Sequence, residues 1–287
     1  MNSSLFKKTQ LKLLASEIGC TAEEIITITA QIDQHYRQWV EQKLNKKTGK
    51  PKTYRDGTIK QRTISPPLKQ LAVIQTKIKD RILANITLPG GIHGGVRGKS
   101  NITNALQHKG KKYILTTDLQ DFFPNISSKQ VVDAFMKLGY SDHYAHWIAK
   151  LVTWQYQVPQ GAPTSSHIAN IVFLQTDLKL MELCDRHDIT YTRYVDDLTF
   201  SSSQNFESQV KEILDIVIND GFKISRRKTN LGGFLNVTGI LIFNNKIDAP
   251  EKIKMTVIEE SQSDDKVKPY TNYYNQIQKA DKKRSKR

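Results

Sequence analysis

The sequence predicts an α+β fold in which antiparallel strands pack on helices. Between Tyr191 and Phe200, β-branched and aromatic residues lead up to two adjacent acids and continue beyond them, a pattern typical of a β-hairpin with Asp196 and Asp197 at its tip. Tyr113–Leu119 is a short, largely apolar run, as expected of a buried strand. Apolar residues recur at helical spacing elsewhere, as at Leu71, Ile74, Ile78 and Ile82.

The charge balance points to a polyanionic partner. The 287 residues include 43 Lys and Arg against 28 Asp and Glu, which gives a net charge of +15. Nucleic acid is the expected partner, and an anionic membrane surface is the lesser option. We expect no membrane span and no signal peptide, since no sufficiently long apolar run is present. Cys20 and Cys184 lack metal-ligand spacing, so we expect reduced thiols in the cytoplasm.

The first 50 residues are predicted to contain two helices. The first is expected to end at Gly19. Thr21 and Glu24 form the capping-box signature of a second helix, which is predicted to run to about Leu44. The basic stretch Asn45–Pro51 is either a nucleic-acid contact or a mobile loop.

Residues 52–64 are predicted to form a hairpin with Asp56-Gly57 as its turn. Lys60 and Arg62 are two positions apart and therefore share one face of the second strand. On spacing alone, a phosphate-binding face and an exposed basic strand edge are equally good interpretations.

The middle of the N-terminal half is predicted to hold two helices joined by a glycine-rich loop. The first runs from Leu68 to about Ile86. The loop His93–Ser100 lacks a glycine five positions before Gly98-Lys99-Ser100, so it is not a P-loop and we exclude a P-loop ATPase. In the second helix, Asn104 and His108 lie on one face, because they are four residues apart. From this spacing alone, a histidine that caps the helix or packs near its end is the preferred interpretation.

Adjacent acids at the end of strands suggest a metal site. Asp196 and Asp197 repel each other, and a pair of Mg²⁺ ions would neutralise them with hard oxygen ligands. Asp118, which ends another strand-like run, is the best candidate for a third carboxylate. For the dipeptide alone, a solvated turn is the favoured interpretation, because short motifs often match by chance.

Five short elements occur in the order seen in reverse transcriptases, and two of them resemble elements of the retron type. The resemblance extends from about Thr53 to about Ile242. The elements are Asn104-Ala105-Leu106-Gln107-His108, Asp118 with Phe123, Gln160-Gly161-Ala162-Pro163, Tyr194-Val195-Asp196-Asp197 and Val237-Thr238-Gly239.

The resemblance implies a right-hand polymerase with fingers, palm and a short thumb. We therefore expect N-terminal helices and fingers in residues 1–112 and a palm with an antiparallel sheet in 113–242. A helical fingers insertion is expected around 127–160, and a reduced thumb with a basic tail in 243–287. The tail from Lys279 onward is expected to be a disordered arm that contacts RNA phosphates.

The resemblance also implies catalytic roles. Asp118, Asp196 and Asp197 are expected to hold two Mg²⁺ ions, as in two-metal polymerase sites. Lys228 matches the family lysine that is proposed to protonate the leaving pyrophosphate.

Five further residues are expected, by the same resemblance, to bind the incoming dNTP. Arg62 and Lys60 would contact the triphosphate, and Phe123 would exclude a ribose 2′-hydroxyl. Gln160 would form a hydrogen bond near the nucleotide, and Gly161 lets the backbone approach it closely.

The remaining two elements are expected to bind nucleic acid. Asn104 and His108 are implied to make a retron-specific contact, with the structured RNA as its expected partner. A strand pair is expected over Phe234–Ile242, and it resembles the primer grip. It includes Val237, and its Thr238 and Gly239 would allow close approach of the primer backbone.

The function implied is that of an RNA-directed DNA polymerase of retron type. Such an enzyme starts from a guanosine 2′-hydroxyl in a folded non-coding RNA (msr–msd) and makes branched RNA–DNA, called msDNA. An effector protein, a role in anti-phage defence and a higher-order assembly are further implications. The alternatives are a prokaryotic reverse transcriptase of abortive-infection or diversity-generating type, or a non-catalytic RNA-binding scaffold.

Overall fold

A computed structural model describes residues 3–44, 49–53, 56–232, 236–263 and 266–284, with side chains from residue 8 to residue 282 within these ranges. The chain divides into two compact units. The first comprises Met1–Thr87 with Asp121–Phe173, and the second comprises Leu88–Gln120 with Leu174–Arg287. The three-part division into 1–112, 113–242 and 243–287 stays a prediction.

The described residues combine α-helices with short strands. The helices are α1 (Ser3–Ile18), α2 (Ala22–Ala30), α3 (Lys69–Arg81), α4 (Asn101–Leu106), α5 (Ser128–Lys137), α6 (Asp142–Val152), α7 (Ser165–Arg186), α8 (Glu207–Asn219), α9 (Glu251–Gln262) and α10 (Pro269–Arg284). The strands are β1 (Trp39–Gln42), β2 (Gln61–Ile64), β3 (Tyr113–Asp118), β4 (Thr190–Tyr194), β5 (Asp197–Ser202), β6 (Asn230–Gly232), β7 (Asn236–Val237), β8 (Ile240–Ile242) and β9 (Ile247–Asp248). All pairs of named strands are antiparallel. The predicted α+β class is therefore confirmed.

In the first unit, helices pack on one another and β1 pairs with β2. Thr21 caps α2 as predicted, because its hydroxyl accepts from the N–H of Glu24 while the Glu24 carboxylate accepts from the N–H of Thr21. The prediction that this helix continues to about Leu44 was wrong. It ends at Ala30, and Trp39–Gln42 forms a strand, since aromatic and β-branched residues favour an extended backbone when a partner strand is available.

The predicted hairpin over residues 52–64 is present only around its turn. Thr53 bridges Ile59, and Gly57 has a φ of +85°. The longer pairing of β2 is with β1, in a register that sets Glu41 opposite Arg62. Residues 54–55 and the beginning of the basic stretch, 45–48, lie outside the described residues.

The second unit contains a four-stranded sheet in the order β4-β5-β3-β6 and a three-stranded sheet in the order β7-β8-β9. The smaller sheet shares one apolar core with α4 and α10. Its buried residues are Ile102, Ala105, Ile114, Val237, Ile240, Ile242, Ile247, Ala249 and Ile277.

The basic C-terminal segment is helical where the structure describes it. It was predicted to be a disordered arm from Lys279 onward, but α10 continues to Arg284. The carboxylate of Asp281 fixes this helix, since it accepts from Lys109 Nζ at 2.7 Å and from the N–H of Ile247 at 3.0 Å. Residues 285–287 lie outside the described residues.

Across the described ranges, no helix is both long enough and apolar enough to cross a bilayer.

Candidate active site

Three acids lie at one end of the four-stranded sheet. β3 ends at Asp118 and β5 begins at Asp197, and these two residues are direct partners in the antiparallel register. The N–H of Leu119 donates to the carbonyl of Asp196 at 2.8 Å, which ties the end of β3 to the β4–β5 turn. The structure therefore brings Asp118, Asp196 and Asp197 together, as the sequence predicted.

The turn that carries these acids has an unusual backbone. Tyr194 pairs with Asp197, so the turn residues are Val195 and Asp196, one position earlier than predicted. Val195 has a φ of +59°, which is rare for a β-branched residue. Gly94 lies against this turn, and a Cβ at that position would be only 2.3 Å from the backbone nitrogen of Val195. A glycine is therefore required there.

The acids disfavour one another's ionisation. Burial, followed by the nearby charges of Asp196 and Asp118, raises the pKa of Asp197 to about 7, and the charge of Lys228 acts in the opposite direction. Burial and like charge both disfavour ionised carboxylates, so a cation at this end of the sheet would stabilise the ionised forms.

Lys228 contacts Asp118 directly. It ends a 3₁₀ helix, Arg226–Lys228, and its ammonium group donates to Oδ1 of Asp118. This segment is joined to β3, because the N–H of Ser225 donates to the carbonyl of Asp118 at 2.8 Å. The Lys228 side chain is 59% exposed, so it can reach a ligand as well as the acid.

The donor chemistry of the three acids fits a hard divalent cation. The three acids lie at one end of the sheet, but within the described ranges no three Asp, Glu, His or Cys side chains are arranged closely enough to hold a metal ion as they stand. Carboxylate oxygens are nevertheless the ligands that Mg²⁺ prefers, and the mutual repulsion at Asp197 is what such an ion would relieve. Asp118, Asp196 and Asp197 are therefore the residues that could hold it.

The predicted nucleotide-binding residues belong to the first unit. Arg62 donates from Nε and Nη2 to one carboxylate oxygen of Glu41, at 3.0 and 2.7 Å, on an exposed face. Lys60 immediately precedes β2 and is half-buried. Phe123 is also half-buried, and its ring centroid lies 5.8 Å from that of the buried Phe122.

Gln160 and Gly161 lie beside the end of β2, where the carbonyl of Gln160 accepts from the N–H of Ser65 at 2.7 Å. Gly161 has a φ of +106°, and a Cβ there would approach Ile64 to 3.1 Å. A glycine is needed for this conformation.

The two residues predicted to contact RNA are enclosed in the second unit. Asn104 and His108 are both fully buried. The ring nitrogens of His108 lie 2.7 Å from the hydroxyls of Ser201 and Thr192, so the ring links β5 to β4. These positions leave no side-chain surface for a direct RNA contact. Sequence spacing could not reveal this burial, because it depends on residues far away in the chain.

The Val-Thr-Gly element forms the tight turn between β7 and β8. Thr238 and Gly239 have φ values of +49° and +88°, and Val237 is buried. Asn104 Nδ2 donates to the hydroxyl of Thr238 at 3.4 Å, and Asn101 Nδ2 donates to its carbonyl at 3.0 Å. Two elements that are distant in the sequence therefore contact each other. Phe234, where the predicted strand pair begins, lies outside the described residues.

One charged residue next to the acids was missed by the sequence analysis. Arg193 is fully buried, and its side chain pairs with Asp177 of α7. The only local signal was a lone arginine within a strand of otherwise uncharged residues, Thr190–Tyr194.

Comparison with known proteins gave one family match and several relatives. A family model described as reverse transcriptase (RNA-dependent DNA polymerase) matches residues 44–256. The Retron Se72 reverse transcriptase of Salmonella heidelberg (strain 579083-10) is 29% identical, over 84% of this chain and 65% of the relative. The Retron Ec86 reverse transcriptase of Escherichia coli is 31% identical, over 65% of this chain and 60% of the relative. The Retron Mx65 reverse transcriptase of Myxococcus xanthus is 32% identical, over 63% of this chain and 48% of the relative.

The chain thus spans about half to two thirds of the length of these three relatives. A solved structure of telomerase from Candida albicans, in complex with a TWJ fragment of telomeric RNA, aligns with a TM-score of 0.48 and 11% identity. This alignment covers 79% of the chain and 50% of that structure. Similarity at this level is too low to inform function.

Proposed function

Because the chain belongs to the reverse transcriptase (RNA-dependent DNA polymerase) family, we propose that it is an RNA-directed DNA polymerase of retron type. The observation that carries the proposal is the meeting of Asp118, Asp196 and Asp197 at one end of an antiparallel sheet. The similarity to retron enzymes over most of the chain supports the retron type.

The three acids are the proposed metal ligands. Two Mg²⁺ ions, when bound, would lower the pKa of the attacking hydroxyl and neutralise charge on the triphosphate. Asp118 is buried and Asp197 is half-buried at the strand ends, which restricts their carboxylates, so the reacting groups can be positioned with little reorganisation.

Lys228 is the proposed proton donor to the leaving pyrophosphate. Its ammonium group is held beside the acids by its hydrogen bond to Asp118, and its exposed side chain leaves room for a phosphate. A cation in this position both favours the developing negative charge and supplies a proton.

We propose that the dNTP is bound by residues of the first unit. Arg62 presents a planar guanidinium on an exposed face, which suits paired hydrogen bonds to phosphate oxygens, and Lys60 would assist it. Gln160 and Gly161 would contact the nucleotide beside β2. Phe123 would collide with a ribose 2′-hydroxyl and so select deoxynucleotides.

The proposed template is a structured non-coding RNA, msr–msd, with a guanosine 2′-hydroxyl as the primer. The net charge of +15 supports a polyanionic partner. The product would be branched msDNA, acting with an effector protein in anti-phage defence in the cytoplasm. Val237, Thr238 and Gly239 would contact the primer backbone through their turn.

The test is DNA synthesis by the purified chain with its cognate RNA, dNTPs and Mg²⁺. We expect DNA that becomes linear only after treatment with a 2′,5′-debranching enzyme. The double variant Asp196→Ala, Asp197→Ala should make no DNA, whereas Asp215→Asn, a change on the exposed face of α8, should be fully active.

Each alternative has its own outcome in this assay. DNA synthesis by the alanine double variant would refute the site, and RNA binding without any synthesis would favour a non-catalytic scaffold. DNA without a 2′,5′ linkage would favour a reverse transcriptase of abortive-infection or diversity-generating type.

A further inference from the structure

A charged cluster is buried beneath the acid-bearing turn. Arg193 and Asp177 are both 0% exposed, and they form a two-pronged ion pair. Arg193 Nη2 donates to Asp177 Oδ2 at 2.6 Å, and Nε donates to Oδ1 at 2.9 Å. The hydroxyl of Tyr191 also donates to Oδ1, at 2.7 Å. The carboxylate is therefore well satisfied and holds the guanidinium in one orientation.

The third nitrogen of the same guanidinium contacts the turn. Arg193 Nη1 donates to the carbonyl of Val195 at 3.0 Å. This carbonyl belongs to the peptide bond between Val195 and Asp196, so the contact acts directly on the backbone that carries Asp196. It also acts on the residue whose φ is +59°.

The backbone of Arg193 is fixed as well. Its N–H donates to the carbonyl of Gly91 at 2.9 Å, and its carbonyl accepts from the N–H of His93 at 2.8 Å. On the other side, Arg193 is the register partner of Leu198 in β5. The backbone of Arg193 is therefore bonded to residues 91–93 on one side and to β5 on the other, which restricts where its guanidinium can lie.

Stability alone does not explain this arrangement. Taking two charges out of water costs several kcal/mol per ion, and well-packed apolar residues often replace such a pair with no loss of stability. A β-branched residue with positive φ is itself strained and persists only when its surroundings hold it. An ion pair that also binds the strained peptide supplies that restraint.

We infer that Arg193 is a positioning residue for the two acids, acting with Asp177 by fixing the carbonyl of Val195. The inference rests on the proposed polymerase function for its kinetic consequence. Its structural part, the restraint of the turn, is independent of that function.

The main test replaces the whole cluster by apolar residues. The triple variant Asp177→Leu, Tyr191→Phe, Arg193→Met leaves no buried charge or hydroxyl unpaired within the cluster, so it should fold. Its melting temperature, RNA affinity and KM for dNTP should stay near those of the parent. We expect kcat to fall about 100-fold, since misplacing a reacting group by about 1 Å costs about that much.

A second variant covers the case in which the triple variant does not fold. Arg193→Lys keeps the charge beside Asp177 but cannot hold both of its oxygens and the Val195 carbonyl at once. We expect a loss of kcat with little change in KM. As the matched control, Lys179→Met removes a cation from an exposed ion pair of α7 and should retain parental kcat.

Hydrogen–deuterium exchange of the peptide that spans residues 193–199 provides a readout other than activity. We expect faster exchange in this peptide, and not in β3, for both variants. If the parent makes no DNA, the proposed function fails while this exchange still tests the restraint. A folded variant with parental kcat and parental exchange would overturn the inference.

Discussion

The ammonium group of Lys228 donates a hydrogen bond to the carboxylate of Asp118, so the proposed proton donor and a proposed metal ligand share one contact. The contact holds Lys228 beside the acids through the short 3₁₀ helix that carries it. Binding of a cation by Asp118 would weaken this pairing and leave the ammonium group free to face the phosphates. Metal binding and the placement of the proton donor would therefore be coupled.

Lys228→Met should lower kcat about 100-fold, the lower end of the range for losing a general acid, with little change in KM. Single-turnover kinetics of dNTP incorporation would measure this. The matched control is Arg227→Met, which removes an exposed cation from the same 3₁₀ helix. An equal loss in the Arg227 variant would mean that only the general positive charge matters.

Mg²⁺ should stabilise the folded chain, because it binds the acids only when the strand ends are brought together. At a metal concentration of 100 times the Kd, the free energy of unfolding should rise by about 2.7 kcal/mol. Thermal melts with and without Mg²⁺ would detect this rise, which should be much smaller in Asp197→Asn. Asp215→Asn should respond like the parent, and an equal response of all three proteins would contradict the site.

The meeting of the three acids could be predicted from short motifs in the sequence together with their resemblance to those of reverse transcriptases. Asp118 and Asp197 stand at the ends of short strands, and strand ends are visible in the pattern of apolar residues. The end of α2 at Ala30 could not be predicted, since Trp39–Gln42 forms a strand only because β2 pairs with it.

Burial of polar side chains was equally invisible in the sequence. His108 contacts hydroxyls from two strands, and Arg193 pairs with a carboxylate from α7. Neither partner can be predicted from the residues next to His108 or Arg193 in the sequence. Spacing predicted that Asn104 and His108 share a helix face, but α4 ends at Leu106 and His108 lies in the turn after it, against β4 and β5.

In the proposed nucleotide site, Glu41 would compete with phosphate for Arg62. Arg62 donates two hydrogen bonds to one oxygen of Glu41, and the pair is exposed, so it contributes little to stability and can be exchanged for another anion. Arg62→Gln should raise the KM for dNTP, whereas Glu41→Gln should lower it. Steady-state kinetics of both variants and of the double variant would check this.

The double variant is the control for this competition. In the Arg62→Gln background, Glu41→Gln should have no further effect, because the guanidinium for which it competes is gone. If Glu41→Gln lowers KM equally in both backgrounds, its effect is one of general charge and the competition is ruled out.

His93 should make stability dependent on pH. The side chain is 3% exposed, and its Nδ1 lies 2.9 Å from the hydroxyl of Thr103. Burial, followed by the charge of Lys99, lowers the pKa of His93 from its ordinary 6.5 to about 4. Between pH 4 and 6.5 the unfolded state binds more protons than the folded state. The contribution of neutral His93 to the stability of the fold is therefore complete above pH 6.5 and is lost as the pH falls towards 4.

Over this pH window the free energy of unfolding should fall by about 3 kcal/mol, because each unit of pKa difference corresponds to about 1.36 kcal/mol. Denaturant unfolding between pH 4 and 8 would measure it, and His93→Gln should flatten the curve. His187→Gln, at an exposed position, should leave the slope as in the parent. A parental slope in His93→Gln would show that other groups carry the dependence.

A variant of His108 would show whether this side chain supports the sheet or recognises RNA. His108→Phe keeps an aromatic ring but removes both contacts to the hydroxyls of Ser201 and Thr192, which are themselves buried. Each hydroxyl left unpaired should cost about 1–3 kcal/mol, so the free energy of unfolding should fall by a few kcal/mol. RNA affinity, measured at a temperature at which the variant is folded, should be unchanged, because the ring has no exposed surface. A selective loss of RNA affinity at parental stability would instead restore the direct RNA contact that the sequence predicted.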